Sequence, residues 1–477
     1  MNNLVGQETG TCYAHGEAIY ENGTPSIRFE DLPVDVMYTI MSKLPPKEFA
    51  RTNVLSSKLR CTRSVCPRLS FNGVEVCKCN KTSLHQHTGR FIHEVNAILQ
   101  KHHGMVIETL EVRIDFVHSI LIHHLNNWVS FALSARTKNL TLDLKPAKWL
   151  SWNYIDKYVY PFELLDNERI SHLQQMQLSF VTLKPSSQYR GFPNLKKLHL
   201  QLVHASAKDI GHVLSHCCNL EWLCIDRCNL NDELVVNGPL THLFYLRIDR
   251  CSLTKVEFHA VNLATFVYDG SFLPVGLRHS LKLQSANIKL DEGVFHHVII
   301  SLLKGLPNVQ NLTLRIGFLH LEKQWLRDNP LKFSRLKNLQ LFMFIYGRDV
   351  ENILCSVSIL RSMPFIEDLE VHFTGNHWHW LADVGPRRKD FGGQYCKYDH
   401  LKNLWITGFK GARGQLEFLL HVVENAPALE VLTVDTHQRA GTEHWPKGSE
   451  PRFKEAKEMA VTSLSTIIPQ TVDLHVI

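Results

Sequence analysis

The sequence predicts an α/β solenoid: a curved stack of parallel strands on the concave side and helices on the convex side, preceded by a separate all-helical segment. Two observations carry the solenoid. A six-residue pattern with apolar residues at places one, four and six recurs along most of the 477 residues, and helical periodicity fills the gaps between copies. A third, a Pro-punctuated run of short helical patterns ahead of the first copy, carries the N-terminal segment.

The pattern is plainest where the chain echoes itself. "NLEWLCIDRCNL", Asn219 to Leu230, returns as "LFYLRIDRCSL", Leu243 to Leu253, with Ile-Asp-Arg-Cys starting 23 residues later. Leu220, Leu223, Ile225, Cys228 and Leu230 align with Leu243, Leu246, Ile248, Cys251 and Leu253. That is the leucine-rich-repeat consensus, in which Asn or Cys takes the ninth place. Further copies start at Ile107, Leu173, Leu195, Leu263, Val309, Leu336, Ile366, Leu401 and Leu429, with a polar first position at Thr137 and a degraded copy around Leu281 and Leu283. Intervals run from about 20 to 36 residues.

Each Leu-x-Leu alternation puts its apolar residues on one face of a short strand and the intervening residues on the other. Between strands, Ile210, Val213, Leu214 and Cys217 fall at helical spacing behind Ser206, an N-cap candidate. "GVFHHVIISLLKGL", "DVENILCSVSIL" and "QLEFLLHVVENA" read as helices in the same way. Pro193, Pro307, Pro364 and Pro427 each stand two residues before the next strand's first apolar residue, where a missing amide donor stops a helix. One unit cannot bury its own apolar face, whereas stacked units can. Cys228 and Cys251 are therefore read as small buried residues at the turn after the strand, not as reactive thiols.

Composition narrows the classes. With 44% apolar and 21% charged residues the chain is globular rather than disordered, and a net charge of +6 without like-charge blocks does not imply nucleic-acid binding. No run of 18 apolar residues suggests a membrane span, and the N-terminus lacks the apolar core of a signal peptide. Twelve cysteines without a secretory signal point to reduced thiols and an intracellular setting, in the nucleus, the cytoplasm or both.

Residues 27–72 differ from the rest. Leu32-Pro33 leads a helical pattern with Val36, Ile40 and Leu44 on one face, ended by Pro45-Pro46; a second pattern offers Phe49, Ala50, Val54 and Leu55. So many apolar residues in so short a segment predict an exposed apolar face and a partner. Here Leu32-Pro33, Ile40, Leu44 and "RTNVLSSKLR" resemble an F-box. F-box plus repeats resembles the plant F-box/LRR family, and "HLKNLWITGFKGARGQLEFLLHVVENAPALEVLTV", His400 to Val434, with the closing "RFKEAKEMAVTSLSTIIPQTVDLHVI", resembles its FBD region. Where family members carry Trp-Arg near the end of the F-box, this chain has Leu59-Arg60. The expected organisation is a disordered tail over 1–26, the F-box over 27–72, a linker over 73–105, the solenoid over 106–399 and FBD-like repeats with a cap over 400–477.

The resemblance implies a non-catalytic receptor of an SCF-type ubiquitin ligase. Its F-box, through Leu32, Pro33, Val36, Ile40, Leu44, Ala50, Val54 and Leu55, would dock a Skp-type adaptor and through it a cullin and a RING subunit. Its concave face would hold an unidentified protein substrate, with no cofactor, metal, nucleic acid or membrane. The alternative is a repeat scaffold without ligase coupling. Strand alternation places Trp222, Asp226, Tyr245, Arg247, Asp249, Arg315, Phe342, His372 and Trp405 on the concave face, where aromatic residues and Arg commonly anchor partners. Asp226 and Asp249 should lie side by side on adjacent strands, and Arg247 is read as neutralising them in preference to a site for a basic ligand.

Two insertions, Lys145–Leu165, dense in aromatics, and Thr374–His400, which combines His, Trp, Gly and a basic triplet, could bind a partner or pack on the scaffold edge. Cys61, Cys66, Cys77 and Cys79 with His85 and His87 lack the pair spacing of a zinc site. "HWHW", His377–Trp380, lacks a third ligand, and "GFKGARG", Gly408–Gly414, lacks a P-loop ending and reads as a strand-to-helix turn.

Overall fold

The computed structural model describes residues 31–33, 36, 40, 67–73, 84–102, 106–114, 119–146, 157–165, 170–238, 240–277, 279–320, 333–344, 353, 357, 360–374, 397–437, 450–465 and 467–477. It divides into two compact units, Met1–Cys66 and Pro67–Ile477.

In chain order the first strands are β1 (Arg68–Asn72), β2 (Thr109–Arg113), β3 (Asn139–Asp143), β4 (Tyr158–Val159), β5 (Gln175–Ser179), β6 (Val181–Thr182) and β7 (Lys197–Gln201). Then come β8 (Trp222–Asp226), β9 (Asp232–Val236), β10 (Tyr245–Asp249), β11 (Leu253–Phe258), β12 (Thr265–Gly270), β13 (Val275–Gly276) and β14 (Ser285–Val294). The last are β15 (Asn311–His320), β16 (Asn338–Phe344), β17 (Asp368–Thr374), β18 (Asn403–Thr407), β19 (Val431–Asp435) and β20 (Asp473–Val476). Fifteen of them, all but β4, β6, β9, β11 and β13, form one sheet whose neighbours follow chain order, every pair parallel.

The second and fourth residues of the repeating strands build the core. Leu223 and Ile225 stand in register with Leu246 and Ile248, then with Phe266 and Tyr268, all buried. The first apolar position closes a turn in these copies: the amide of Leu195 donates to Phe192 O, Val309 to Leu306 O, Ile366 to Met363 O and Leu429 to Ala426 O. Pro193, Pro307, Pro364 and Pro427 occupy the second residue of these turns, where proline's fixed φ fits and no donor is needed. Their role is thus to shape the turn as well as to stop a helix.

Successive turns are tied by side chains that the repeat pattern did not single out. Asn194 Nδ2 donates to Ser171 O at 2.7 Å, Asn219 to Pro193 O at 2.8 Å and Asn262 to Thr241 O at 2.6 Å. Each asparagine satisfies a carbonyl of the preceding turn, so a polar ladder runs along the amino ends of the strands.

The outer layer contains α1 (Leu84–Leu99), α2 (Ser119–Ser134), α3 (Ala207–Ser215), α4 (Phe295–Gly305), α5 (Arg413–Asn425) and α6 (Glu450–Leu464). Ser206 caps α3 in a reciprocal box: Asp209 N donates to Ser206 Oγ at 3.0 Å, and Ser206 N donates to Asp209 Oδ2 at 3.2 Å. Between α3 and α4 the expected helices are absent. There β9, β11 and β13 form a second parallel sheet. From Trp222 to Tyr245, Thr265 and Ser285 the chain advances in steps of 23, 20 and 20 residues, too few for a helix and two turns, so the return path is extended.

Three boundaries move. Arg68–Asn72, within the expected F-box span, is a strand paired to β2, and α1 occupies the expected linker with Phe91 against Trp128 at 6.0 Å. The array therefore begins about forty residues earlier than its first clear copy, because β1 carries only two core residues, Leu69 and Phe71, in a polar context. The degraded copy starts at Leu283 with Ala286 and Ile288 in the core, while Leu281 is exposed; a small Ala hid the register. Of the first insertion, residues 157–165 pack on the scaffold: β4 pairs β6, Tyr158 and Tyr160 are buried, and Tyr158 Oη donates to Asn126 Oδ1 at 2.8 Å. Residues 147–156 and 375–396, which include "HWHW" and most of the second insertion, lie outside the described residues, as do Cys61, Cys66, Cys77 and Cys79.

Candidate functional site

The face opposite the core is a set of columns, one residue per strand. The fifth column reads Asp143, Ser179, Gln201, Asp226, Asp249, Asp269, Lys289, Arg315, Phe342, His372, Thr407 across β3 to β18. Asp226 and Asp249 are side by side, as the echo implied, and Asp269 makes a third. Like charges on adjacent strands repel at about 5 Å spacing, so each carboxylate needs compensation.

That compensation is present. Arg247 Nη2 donates to Asp249 Oδ2 at 2.6 Å and Lys289 Nζ to Asp269 Oδ2 at 2.8 Å. Arg227 Nε lies 3.4 Å from Asp226 Oδ1, Gln201 donates to the other oxygen of Asp226, and Arg250 Nε sits 3.9 Å from both Asp249 and Asp269. Arg227 and Arg250 hold φ of 50° and 46°, the left-handed region, in the turn that ends each strand. Arg247 bonds Asp249 on its own strand, while Asp226 is met by Arg227 and Gln201, and the Asp249 hydrogen bond pushes the Arg247 guanidinium pKa up.

The aromatic candidates form two groups. Trp222 and Tyr245 stack with centroids 5.5 Å apart and planes 6° apart, and His199 meets Trp222 edge-on. Burial, which outweighs the opposing pull of Asp226, lowers the His199 pKa. Farther along, the Arg315 guanidinium lies 3.9 Å over the Phe342 ring, and Phe342 is 4.3 Å from His372. Trp405 borders a shallow cleft of about 420 Å³ with Asn311, Asn338, Gln340, Glu370 and Asn403.

Not every expected residue is available to a partner. His372 is fully buried, between Thr407 Oγ1 at 2.9 Å and Glu370 Oε2 at 3.2 Å, and serves the face from below. Asp226 and Asp249 are each only 9% exposed. Trp222, Tyr245, Phe342 and Trp405 are half-buried, and Arg247 and Arg315 are exposed. Sequence reasoning missed Arg250, Asp269 and Lys289; carrying the fifth position through the copies at Leu263 and Leu283 would have found the last two.

Cys217, Cys224, Cys228 and Cys251 are buried, whereas Cys218 is exposed. Burial pushes Cys217 and Cys224 up to about 12, and Cys228 well above the ordinary thiol range. No group of three or more potential metal ligands occurs among the described residues, and no described helix is long and apolar enough to cross a membrane. "GFKGARG" is a strand-to-helix turn: Gly408 and Gly411 hold φ of 71° and 72°, and Gln415 Nε2 donates to Gly408 O at 3.0 Å.

In the first unit, Leu32 is half-buried, and Pro33, Val36 and Ile40 are exposed, with Val36 and Ile40 in helical conformation. Leu44, Ala50, Val54 and Leu55 lie outside the described residues.

Comparison with known proteins fits this architecture. The family model described as At1g61320/AtMIF1, LRR domain, matches residues 98–477. Among curated proteins of Arabidopsis thaliana, F-box/FBD/LRR-repeat protein At1g13570 is 24% identical over 430 residues, covering 85% of this chain and 90% of its own. FBD-associated F-box protein At1g61320 is 22% identical, covering 86% and 89%, and F-box/FBD/LRR-repeat protein At4g26340 is 23% identical, covering 84% and 91%. With the matching model spanning most of the parallel array, the chain belongs to the At1g61320/AtMIF1 LRR-domain family, within the plant F-box/FBD/LRR-repeat proteins.

Proposed function

We propose that the chain is the substrate-recognition subunit of an SCF-type ubiquitin ligase. Leu32, Pro33, Val36, Ile40, Leu44, Ala50, Val54 and Leu55 would dock a Skp-type adaptor, which would bring a cullin and a RING subunit. The observation that carries this reading is Val36 and Ile40: four residues apart on one helical face, apolar, and 39% and 40% exposed. Water-facing apolar residues at that spacing favour burial against a partner. The repeat array supplies the other half, an aromatic and cationic concave face suited to a protein substrate. The chain would contribute proximity, not chemistry, by raising the substrate's effective concentration near the loaded ubiquitin enzyme. The setting is intracellular, in nucleus, cytoplasm or both.

Co-purification with a Skp-type adaptor tests the proposal. The full chain should retain the adaptor, and Leu32→Ala with Pro33→Ala should abolish retention; an association indifferent to that change sinks it. The second reading, a scaffold without ligase coupling, is favoured by Leu59-Arg60 in place of Trp-Arg. A chain that holds partners on its concave face yet draws in no cullin would establish it.

A further inference from the structure

The carboxylates and cations of the fifth column are not equally placed. The side chains of Asp226, Asp249 and Asp269 are 12%, 13% and 19% exposed, whereas those of Arg227, Arg247, Arg250 and Lys289 are 38%, 44%, 54% and 40% exposed. Buried anions thus form a floor and cations a roof. A carboxylate beneath a guanidinium fixes its orientation while leaving its outer N–H groups free to donate. Arg250 shares two carboxylates at 3.9 Å and is therefore compensated loosely. Next in the column comes Arg315, exposed and resting on Phe342 at 3.9 Å, with no carboxylate partner among the described residues. Asp291, exposed two residues beyond Lys289, bounds the row on β14.

From β8 to β15, then, five cations stand over three largely covered carboxylates and the exposed Asp291, an excess of one positive charge, beside the stacked pair Trp222 and Tyr245. We propose that this rim selects an acidic protein segment, rich in Asp and Glu, with Arg250, Lys289 and Arg315 as the contacting cations. The inference rests on the reading of the array as a protein-binding face and names the chemistry of what it takes. Guanidinium groups held in a row recognise carboxylate and phosphate by paired, charge-assisted hydrogen bonds, and the charge excess repels basic partners.

The test uses the immobilised full chain and four pools of random 12-residue peptides differing only in a fixed centre: Ser-x-Ser, phosphoSer-x-phosphoSer, Asp-x-Asp or Lys-x-Lys. Retention of the Asp pool should exceed that of the Ser and Lys pools by roughly tenfold, and a phosphoSer pool retained while the Asp pool is not overturns the proposal. Arg250→Gln with Arg315→Gln should remove most of that excess, since both side chains lie outside the core. Retention should also fall steeply as salt rises through about 0.3 M. Equal retention of the Ser or Lys pool, insensitivity to salt, or an unchanged excess in a folded double variant overturns the proposal. So does tighter binding of a single-stranded RNA oligomer of the same charge. Adaptor co-purification is read on the same preparations: adaptor bound with no acidic preference defeats this inference alone, and acidic preference without adaptor defeats only the ligase reading.

Discussion

Replacing Leu246 by alanine asks whether the array holds together repeat by repeat. Leu246 is fully buried on β10, in register with Leu223 on β8 and Phe266 on β12, and both neighbours are fully buried as well. Truncation leaves a cavity flanked by side chains fixed in their own repeats, so collapse is limited and the cost should be about 3–4 kcal/mol, within the range for buried Leu→Ala. In a stacked array each repeat touches only its neighbours, and the loss should stay local. Amide hydrogen exchange read by mass spectrometry would show it: protection of β10 should fall by roughly two to three decades, that of β8 and β12 by less, and that of β18 and β19 hardly at all. Phe244→Ala, one residue before β10 and exposed, should change little. Equal loss of protection at β10 and β19 would refute the reasoning, because it would mean that the sheet opens as one cooperative unit.

Other perturbations probe the turn, the cap, a buried charge and the thiols. Gly411→Ala forces a Cβ to within 2.9 Å of Met459 Sδ at a φ of 72°, and should cost about 1–3 kcal/mol, read by thermal melting. Ser206→Ala removes the oxygen that caps α3 and should cost about 1 kcal/mol by denaturant titration. Burial lowers the Lys410 pKa to about 8 although its Nζ donates to Thr436 O at 2.8 Å. Between pH 8 and 10 the unfolded chain therefore binds more protons at this site, so stability should rise with pH there. Lys410→Met should flatten that rise, and an identical slope in the variant would contradict it. With iodoacetamide at pH 8, exposed Cys218 should react in the native chain while Cys217, Cys224 and Cys228 wait for unfolding, as peptide mapping would reveal.

The parallel sheet illustrates how a repeat scaffold varies its surface chemistry. Its inner residues answer to packing and are nearly interchangeable between copies: Leu223, Leu246 and Phe266 do the same work. Its outer residues answer to their lateral neighbours. Asp226 and Asp249, alike in sequence context, have different partners, because Gln201 flanks the first and Asp269 the other side of the second. The same local string therefore has different chemistry in each copy.

The sequence by itself determined the parallel array. Leu-x-x-Leu-x-Leu at repeating intervals fixes strand, face and neighbour together, because a strand's side chains alternate and a half-buried unit must stack. It also determined the cap at Ser206 and the buried fate of Cys228 and Cys251, both local consequences of spacing. Only the tertiary structure decided which outer residues are accessible. His372 occupied the right column and is nonetheless buried, since Phe342, Thr407 and Glu370 close around it from three strands. Arg250 was not legible as a surface cation, since its position follows from a left-handed turn and from two carboxylates, one of them on the next strand. The replacement of helices by β9, β11 and β13 likewise depended on the chain length left between strands already fixed by the sheet. Periodicity is a property of one strand; exposure and charge compensation belong to several strands at once, and no single stretch of the chain encodes them.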